Sequence, residues 1–246
     1  MCRSTSSQES CEVSIVMACY NEAETVGPCV TNAFEALAAL GLQGEVIVID
    51  NASTDGSGAI AAECGARVIV EEKRGYGYAY RRGFREAKGR MLVMADADGT
   101  YDFCDLERML LPLQDGSDFV IGSRLRGNML PGAMPWFKLH FGNRVATGLV
   151  NFLFQKKLSD TQSGFRSFRA GSFRDVDFRG EGMEFATEMI VDAFRKGLRL
   201  SEVPITYHPR RGGVSKYKIF QDSFSILRLI FASFLHPNGV SRTHDS

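Results

Sequence analysis

Two aspartates separated by one residue follow an apolar segment of the chain. Met91–Ala95 is a run of five apolar residues, which is typical of a strand buried on both faces, and Asp96 and Asp98 come directly after it. Side chains alternate along a strand, so both carboxylates should point to one side, at the edge where open α/β sheets bind ligands. Such a pair predicts a Mg²⁺ or Mn²⁺ site with positions left for water and a substrate diphosphate. The alternative is that the aspartates only cap the next helix.

The pattern around this pair alternates strands with helices. The predicted strands besides Met91–Ala95 are Val13–Ala18, Glu45–Asp50, Arg67–Val70, Asp118–Ile121, a short one within Ser159–Arg169, and Leu200–Ile205. The predicted helices include one from Val26 to Leu40, Leu106–Leu111 before Pro112, Trp136–Phe154, Glu184–Lys196 and Ile219–Leu235. Gly75–Gly83 is predicted to be a glycine turn, and Asn128–Pro135 a loop. This order predicts an α/β fold, a Rossmann-like, doubly wound and mostly parallel sheet flanked by helices, in which the strand-end acids Asp50 and Asp96 share one crevice.

Composition narrows the class of protein. The 246 residues contain 29 Lys and Arg and 29 Asp and Glu, and this balance argues against an electrostatic binder of nucleic acid. The six cysteines form no CxxC pair, which favours free thiols in a reducing cytoplasm over a disulfide framework or a zinc site. The polar N-terminus lacks the apolar segment of a signal peptide, and no apolar run reaches the roughly 18 residues of a membrane span. We therefore expect a cytoplasmic protein.

The chain is divided into four segments by these patterns. We expect a disordered tail over residues 1–11, a single α/β domain over 12–218, an amphipathic C-terminal helix over 219–236 and a second tail over 237–246.

Several motifs occur in an order that resembles a known family. The first set consists of Tyr20-Asn21-Glu22, Asp50 with Ser53-Thr54-Asp55-Gly56, Gly75-x-Gly77-x-Ala79-x-Arg81, and Asp96-Ala97-Asp98. Together these resemble the family 2 glycosyltransferases of GT-A fold. The second set consists of Gly122-Ser123-Arg124, Ser159-Asp160 with Gly164-Phe165-Arg166, Glu188-Met189, and Arg210 followed by Ser215-Lys216. This set is similar to the dolichyl-phosphate mannose and glucose synthase branch, and the resemblance covers about residues 13–220.

The resemblance implies a GT-A fold with acceptor-side C-terminal helices and an inverting, metal-dependent hexosyltransferase. A hexose would pass from UDP-glucose or GDP-mannose to a polyprenyl phosphate. It also implies a set of donor-binding residues: Tyr20, Asn21, Glu22, Asp50, Asn51, Gly75, Arg81, Asp96, Ala97, Asp98, Arg210 and Lys216. Asp96 and Asp98 would hold Mg²⁺ or Mn²⁺. Mannose synthases of this branch have Gln two positions after the second acid, whereas this chain has Thr100, a poorer ligand.

Basic residues suit the two phosphate groups of such a reaction. Charge builds on the leaving diphosphate, and Arg210 and Lys216, in the glycine-containing segment 208–218, are candidates to stabilise it. A phosphate acceptor is already a nucleophile and needs positive charge rather than a base, a task that suits arginine. The resemblance implies that Arg124 and Arg144 hold this phosphate, with Glu188 nearby. The alternative for residues 208–218 is a solvated basic loop.

Two other functions stay open. A hydroxyl acceptor would require a carboxylate base, for which Asp160 is the best candidate, ahead of Glu184 and Glu188. Asp160 could equally pair with a nearby arginine in a structural role. The second alternative is a non-catalytic module that binds a sugar nucleotide.

Two aromatic-rich helices predict a further partner. Trp136–Phe154 and Ile219–Leu235 combine apolar residues with sparse positive charge, as helices at a membrane surface do, so peripheral contact with the inner face of the membrane is expected. The alternative is that both helices belong to the core. Oligomeric state is left open.

Overall fold

Segments rich in valine and isoleucine form the strands of one sheet, because β-branched side chains fit a buried pleated surface. The structure, a computed structural model, describes residues 11–134, 142–173, 176–212 and 219–235. Within these ranges the strands are β1 (Val13–Cys19), β2 (Gly44–Asp50), β3 (Arg67–Val70), β4 (Met91–Asp96), β5 (Phe119–Met129), β6 (Arg166–Arg169) and β7 (Leu200–Tyr207). Their order is β3-β2-β1-β4-β6-β5-β7. Strand β6 runs antiparallel to β4 and β5, and the other neighbours are parallel.

Helices cover both faces of this sheet. The described helices are α1 (Val26–Ala39), α2 (Ser57–Glu63), α3 (Tyr76–Glu86), α4 (Leu106–Gln114), α5 (Asn143–Phe154), α6 (Phe185–Arg195) and α7 (Ile219–Leu235), with a 3-10 turn at Phe103–Asp105. Apolar residues of α1, α2 and α4 form the core on one face. Those of α3, α5, α6 and α7 form the core on the other face. The predicted doubly wound, mostly parallel α/β architecture is therefore confirmed.

The sheet register brings the predicted strand-end acids together. Cys19, the last residue of β1, pairs with Asp50 of β2, and Ala18 pairs with Asp96 of β4. Because β1 lies between β2 and β4, the two acids flank its carboxyl end. The prediction that they share one edge of the sheet is confirmed.

Three local predictions were wrong. The predicted turn over 75–83 is helix α3, in which Gly83 lies so close to the sheet that a Cβ there would be 2.3 Å from Val16. Its glycines thus serve close packing rather than a turn. Helix α4 continues through Pro112 to Gln114; proline leaves the carbonyl of Arg108 without its helical partner, but Arg108 is exposed and water can bond that oxygen. Strand β5 extends to Met129, into the predicted loop 128–135.

Other predictions fall partly outside the described residues. Of the predicted helix Trp136–Phe154, the structure describes Asn143–Phe154 as helix and leaves 135–141 undescribed. The predicted tails 1–11 and 237–246 lie almost wholly outside the described ranges, so they stay predictions. Every described residue of the predicted C-terminal helix, Ile219–Leu235, is helical. Across the described ranges, each helix is too short or too polar to cross a bilayer.

Candidate active site

Asp96 closes strand β4 and faces tyrosines of α3. Its Oδ1 accepts a hydrogen bond of 2.9 Å from the hydroxyl of Tyr80, which is fully buried. Burial and the nearby charge of Asp98 raise the pKa of Asp96 to about 6. The two carboxylates therefore repel each other in the absence of a cation, which is the electrostatic situation that favours binding one.

Asp98 lies in the turn after β4, and both of its carboxylate oxygens have partners. Oδ1 accepts hydrogen bonds from the backbone N–H of Thr100 at 3.1 Å and from its hydroxyl at 2.7 Å. Oδ2 accepts a hydrogen bond of 2.8 Å from Nη1 of Arg210. Oδ1 thus stabilises the turn that contains Asp98, and Oδ2 binds the guanidinium of Arg210.

Arg210 joins two acids from separate turns. Its Nη2 donates to Oε1 of Glu22, in the turn after β1, while Nη1 donates to Asp98 in the turn after β4. Its Nε donates to the carbonyl of Gly212, two residues further on, at 2.8 Å. The bonds to Glu22 and Asp98 thus hold the segment after β7 over the strand ends. The side chain of Arg210 is 24% exposed. We refer to Glu22, Arg210 and Asp98 together as the charge bridge.

The residues at this edge fit a hard divalent cation with few protein ligands. Asp96 and Asp98 offer carboxylate oxygens, which Mg²⁺ and Mn²⁺ prefer, and these ions commonly take their other ligands from water and phosphate. Among the described residues, no group of three or more His, Cys, Asp or Glu side chains is arranged to hold a metal. The hydroxyl of Thr100 is occupied as a donor to Asp98, and a cation at Asp98 Oδ2 would have to replace Arg210.

The turns after β1 and β2 are bonded to each other. The N–H of Asn21 donates to Ser53 Oγ at 3.0 Å, and Oδ1 of Asn21 accepts from the N–H of Thr54 at 2.8 Å. Asp50 accepts from the N–H of Ser53 at 2.9 Å. In this structure the predicted donor-binding residues Asn21 and Asp50 hold the turns at this edge in place. Their contact with a nucleotide stays a prediction.

Asn51, Tyr20 and Ala97 complete the same surface. Asn51 Nδ2 donates to the carbonyls of residues 71 and 73, and its Oδ1 accepts from the N–H of residue 75, so it holds the chain ahead of α3. The guanidinium of Arg74 lies 4.6 Å from the ring centre of Tyr20. Ala97 is buried, and its carbonyl accepts a 2.7 Å bond from the hydroxyl of Thr25.

Gly75 and Arg81 contact the chain ahead of α6. A Cβ on Gly75 would lie 2.3 Å from the carbonyl oxygen of Glu181, so only glycine fits there. Arg81 Nη1 donates to the carbonyl of Phe178 at 2.6 Å, and its guanidinium lies 4.6 Å from the ring centre of Tyr78. Close packing accounts for both residues in this structure, and binding of a donor by them stays a prediction.

Arg124 and Asp160 form a buried bidentate ion pair. Arg124 Nε donates to Asp160 Oδ2 at 2.7 Å and Nη2 donates to Oδ1 at 2.8 Å. The side chains are 8% and 0% exposed. Burial tends to raise the pKa of Asp160, but attraction to Arg124 and the hydrogen bonds outweigh it and hold that pKa below its ordinary value. The pairing proposed as the structural alternative for Asp160 is therefore present.

The remaining predicted residues are dispersed. Arg144 is exposed in the first turn of α5. Glu188, on α6, accepts the N–H groups of Arg179 and Gly180 at 2.8 and 2.7 Å, and burial raises its pKa. Lys216 lies outside the described residues.

Two buried charged residues near this edge have roles that the strand pattern does not indicate. Glu202, inside β7, accepts backbone N–H groups of residues 159 and 160. Arg166, in β6, is fully buried and donates to the carbonyls of Ser163, Ala186 and Thr161. A charged residue within a short strand pattern is expected to face solvent, so the pattern does not indicate Glu202. Arg166 belongs to the motif Gly164-Phe165-Arg166, but that motif gave no sign that its side chain is buried.

A model of a known protein family, "Glycosyl transferase family 2", matches residues 14–177. Two curated relatives are similar over most of this chain. The low-salt glycan biosynthesis hexosyltransferase Agl6 of Haloferax volcanii is 40% identical over 222 residues, which make up 90% of this chain and 53% of that protein, so this chain spans about half of its length. The polyprenol monophosphomannose synthase of Mycolicibacterium smegmatis is 31% identical over 215 residues, or 82% of this chain and 79% of that protein.

Solved structures share the architecture. The glucosyl-3-phosphoglycerate synthase of Mycobacterium tuberculosis, crystallised with Mn²⁺, uridine diphosphate and glucosyl-3-phosphoglycerate, superposes with a TM-score of 0.68. The match covers 94% of this chain and 81% of that chain at 20% identity. At this identity the likeness establishes the fold, which is of GT-A type.

Proposed function

This chain belongs to glycosyl transferase family 2, and from that membership we propose that it transfers a hexose, with inversion, from a nucleotide-diphosphate sugar to a polyprenyl phosphate. UDP-glucose and GDP-mannose are the proposed donors. The observation that supports this most strongly is the charge bridge, which gathers Glu22, Arg210 and Asp98 from three turns at one edge, beside Asp96.

The donor half of the reaction follows from these charges. A Mg²⁺ or Mn²⁺ ion held by Asp96 and Asp98 would supply positive charge to the leaving diphosphate. Arg210, once released from Asp98, can bind a phosphate oxygen through the same Nη1 group, and Lys216 is proposed to assist it. Arginine suits this exchange because its planar donors match carboxylate and phosphate alike.

The acceptor half needs no base. A phosphate oxygen of the acceptor attacks C1 of the hexose, the bond from C1 to the diphosphate oxygen breaks, and its electron pair leaves with the nucleoside diphosphate. We propose that Arg124 binds the attacking phosphate and that Arg144 and Glu188 lie along its approach. The burial of Asp160 and its pairing with Arg124 favour a phosphate acceptor over a hydroxyl acceptor, since a carboxylate whose two oxygens are taken is a poor base.

A prenyl chain would reach this site from a membrane surface. Helices α5 and α7 pack together, with the rings of Phe154 and Phe234 centred 6.5 Å apart. Large apolar side chains on the two helices face outward, including Phe152 (79% exposed), Phe224 (68%) and Leu235 (69%). We propose that this surface contacts the cytoplasmic face of the membrane peripherally, as amphipathic helices do.

The test is a donor panel followed by one substitution. Thermal shifts with UDP-glucose and GDP-mannose, each with and without Mn²⁺, should show metal-dependent stabilisation by one nucleotide class. With that donor and farnesyl phosphate as acceptor, Asp98→Asn should lower the transfer rate by about 10²–10³-fold, the usual cost of losing one stabilising charge at a transition state.

Asp118→Asn is the matched control. Asp118 pairs with Arg199 beside the start of β5, at the other edge of the sheet, so its loss should leave transfer within about twofold of wild type. Unchanged turnover in Asp98→Asn would contradict the proposal.

A further inference from the structure

Glu202 is a buried acid whose carboxylate holds a turn of the chain. It is the third residue of β7, and its side chain is 6% exposed. Its Oε1 accepts the N–H of Ser159 at 2.9 Å, the hydroxyl of Ser159 at 3.1 Å and the N–H of Asp160 at 3.0 Å. A buried carboxylate with three donors on one oxygen fixes the position of those donors, because losing any of them would leave charge unsatisfied.

The turn at Ser159 and Asp160 fixes the orientation of Arg124. The two oxygens of Asp160 accept Nε and Nη2 of Arg124, and Oδ2 also accepts the backbone N–H of Arg124 at 3.2 Å. Side chain and backbone of the arginine are thus held by one acid. Ser123 and Ser159 add a hydroxyl–hydroxyl bond of 2.6 Å between the same two segments.

The backbone of β5 is distorted where Arg124 lies. Ser123 pairs with Pro204 of β7, and the next pair is Asn128 with Thr206, so four residues of β5 stand opposite one residue of β7. Such bulges redirect side chains and occur next to active sites. This bulge begins at Arg124.

One edge of the Arg124 guanidinium is left for a ligand. Within the described part of the chain, Nη1 has no hydrogen-bond partner, whereas Nε and Nη2 are both used. The guanidinium carbon lies 5.3 Å from the ring centre of Tyr207, at the carboxyl end of β7. The ring of Tyr207 is centred 5.5 Å from that of Tyr101, whose hydroxyl accepts the N–H of Gly164. A Cβ on Gly164 would lie 3.0 Å from both that hydroxyl and Asp96 Oδ2, so Arg124 lies on the same side of the sheet as Asp96.

The surrounding charge favours an anion despite the two acids. Arg166, a few residues beyond Asp160, is fully buried and bonded to three carbonyls. Among the described residues, no carboxylate lies within ion-pair distance of it. Its charge, offset only by those carbonyls and by the more distant Asp160, adds to that of Arg124 beside the buried pair.

We propose that Glu202 and Asp160 are positioning residues that hold Arg124 so that its Nη1 group meets the phosphate of the acceptor. This inference rests on the proposed function, in which Arg124 binds that phosphate. Glu202 places the turn, the turn places Asp160, and Asp160 leaves Arg124 one orientation. Asp160 then orients an arginine and accepts no proton during transfer.

The test separates the Michaelis constants of the two substrates. With farnesyl phosphate as acceptor, Glu202→Ala should raise its KM about tenfold, comparable to the loss of an outer-shell partner at a metal site, while the KM of the sugar nucleotide changes less than about twofold. Glu202→Gln should restore most of the loss, because an amide oxygen can accept the same N–H groups. Urea unfolding of each variant establishes that it is folded.

A control of the same residue type lies at the opposite edge of the sheet. Glu45, near the start of β2, also accepts a backbone N–H, from Lys88 at 2.8 Å, and binds Arg67. Glu45→Ala should lower the urea midpoint and leave the acceptor KM unchanged. If Glu202→Ala likewise lowered the urea midpoint and left the acceptor KM unchanged, the role of Glu202 would be merely structural and the inference would be overturned.

Further variants distinguish this inference from the proposed function. If Arg124→Lys leaves the acceptor KM unchanged, Arg124 does not bind the phosphate and the proposed acceptor site is wrong. If Arg124→Lys raises that KM while Glu202→Ala does not, the positioning role is overturned. Asp160→Asn should raise the acceptor KM and leave the pH profile of kcat unchanged; loss of an acidic limb in that profile would identify Asp160 as a base and overturn its role here.

Discussion

Two arginines serve the candidate active site in different surroundings. Arg124 gives two hydrogen bonds to one acid, Asp160, and its side chain is 8% exposed. Arg210 divides its donors between two acids from separate turns, Glu22 and Asp98, and is 24% exposed. The first pair joins a strand to a turn within the core, and the second holds the segment after β7 over the strand ends.

The difference in burial indicates which pair can exchange partners. In the core, neither member of the Arg124 pair can leave without exposing a charge to a medium of low dielectric constant. At the other site Arg210 is 24% exposed, although Glu22 and Asp98 are only 7% and 13% exposed, so water, a metal ion or a phosphate can reach it and take the place of a partner. Under the proposed function, Arg124 would be the fixed arginine of the acceptor side and Arg210 the exchangeable arginine of the donor side.

The largest expected effect comes from breaking the buried pair. Asp160→Ala should lower the free energy of unfolding by about 3–5 kcal/mol, because Arg124 is left as an uncompensated buried charge. Urea titration followed by circular dichroism measures it. The double variant Arg124→Met with Asp160→Leu should lose less than Asp160→Ala alone. A loss below about 1 kcal/mol in Asp160→Ala would place this pair in the same class as an exposed one.

An intermediate effect should appear in the pH dependence of stability without metal. The pKa of Asp96 is raised to about 6 in the folded state, by burial and then by Asp98. Its contribution to stability is therefore fully present below its unfolded pKa, near 4, and is lost as pH rises through about 6. Compared with Asp96→Asn in EDTA, the wild type should lose on the order of 2 kcal/mol between pH 4 and pH 7.

Asp160 sharpens this test, because its pKa is shifted the other way. Its lowered pKa, held down by Arg124 against the opposing effect of burial, gives stability that is present above its unfolded pKa and lost as pH falls. Urea midpoints of the Asp96→Asn and Asp160→Asn variants, each relative to wild type, should change with pH in opposite directions. Parallel changes would contradict the contrast between the two sites.

The smallest effect should come from releasing the exchangeable arginine. Arg210→Met should tighten binding of Mn²⁺ in the absence of nucleotide by about two- to fivefold, because a partner worth up to about 1 kcal/mol no longer occupies Asp98. Titration followed by the electron paramagnetic resonance signal of free Mn²⁺ measures this without any turnover. Transfer by the same variant should fall.

Arg211→Met is the control for the loss of one positive charge near the same turn. Arg211 is exposed, and its side chain lies near Gly99. If both variants tighten Mn²⁺ binding equally, the effect is one of general charge, and the contact between Arg210 and Asp98 does not compete with metal.

Local pattern was sufficient for much of the fold. The strand Arg67–Val70 has the predicted bounds, residues Ile219–Leu235 are helical as predicted, and the acids at the ends of β2 and β4 lie at one edge as predicted. These features follow from hydrophobic periodicity and from the geometry of parallel strands, and residues close together in the sequence are enough to indicate both. The family motifs, too, are recognised from short runs of neighbouring residues.

Local pattern failed where packing overrode propensity. Residues 76–86 form helix α3, and its glycines are needed because residues 180 and 181 and the sheet approach too closely for larger side chains. Propensity alone disfavours a helix that contains two glycines, Gly77 and Gly83, and only the contacts made across the fold reverse that preference.

The sequence by itself thus determined the strands, the edge at which they end in acids, and the family to which those acids belong. Only the tertiary structure decided which charges meet: Arg124 with Asp160, 36 positions away, and Arg210 with Asp98, 112 positions away. The physical reason is that an ion pair depends on distance and burial in the folded chain, and no periodicity along the chain encodes either across such separations.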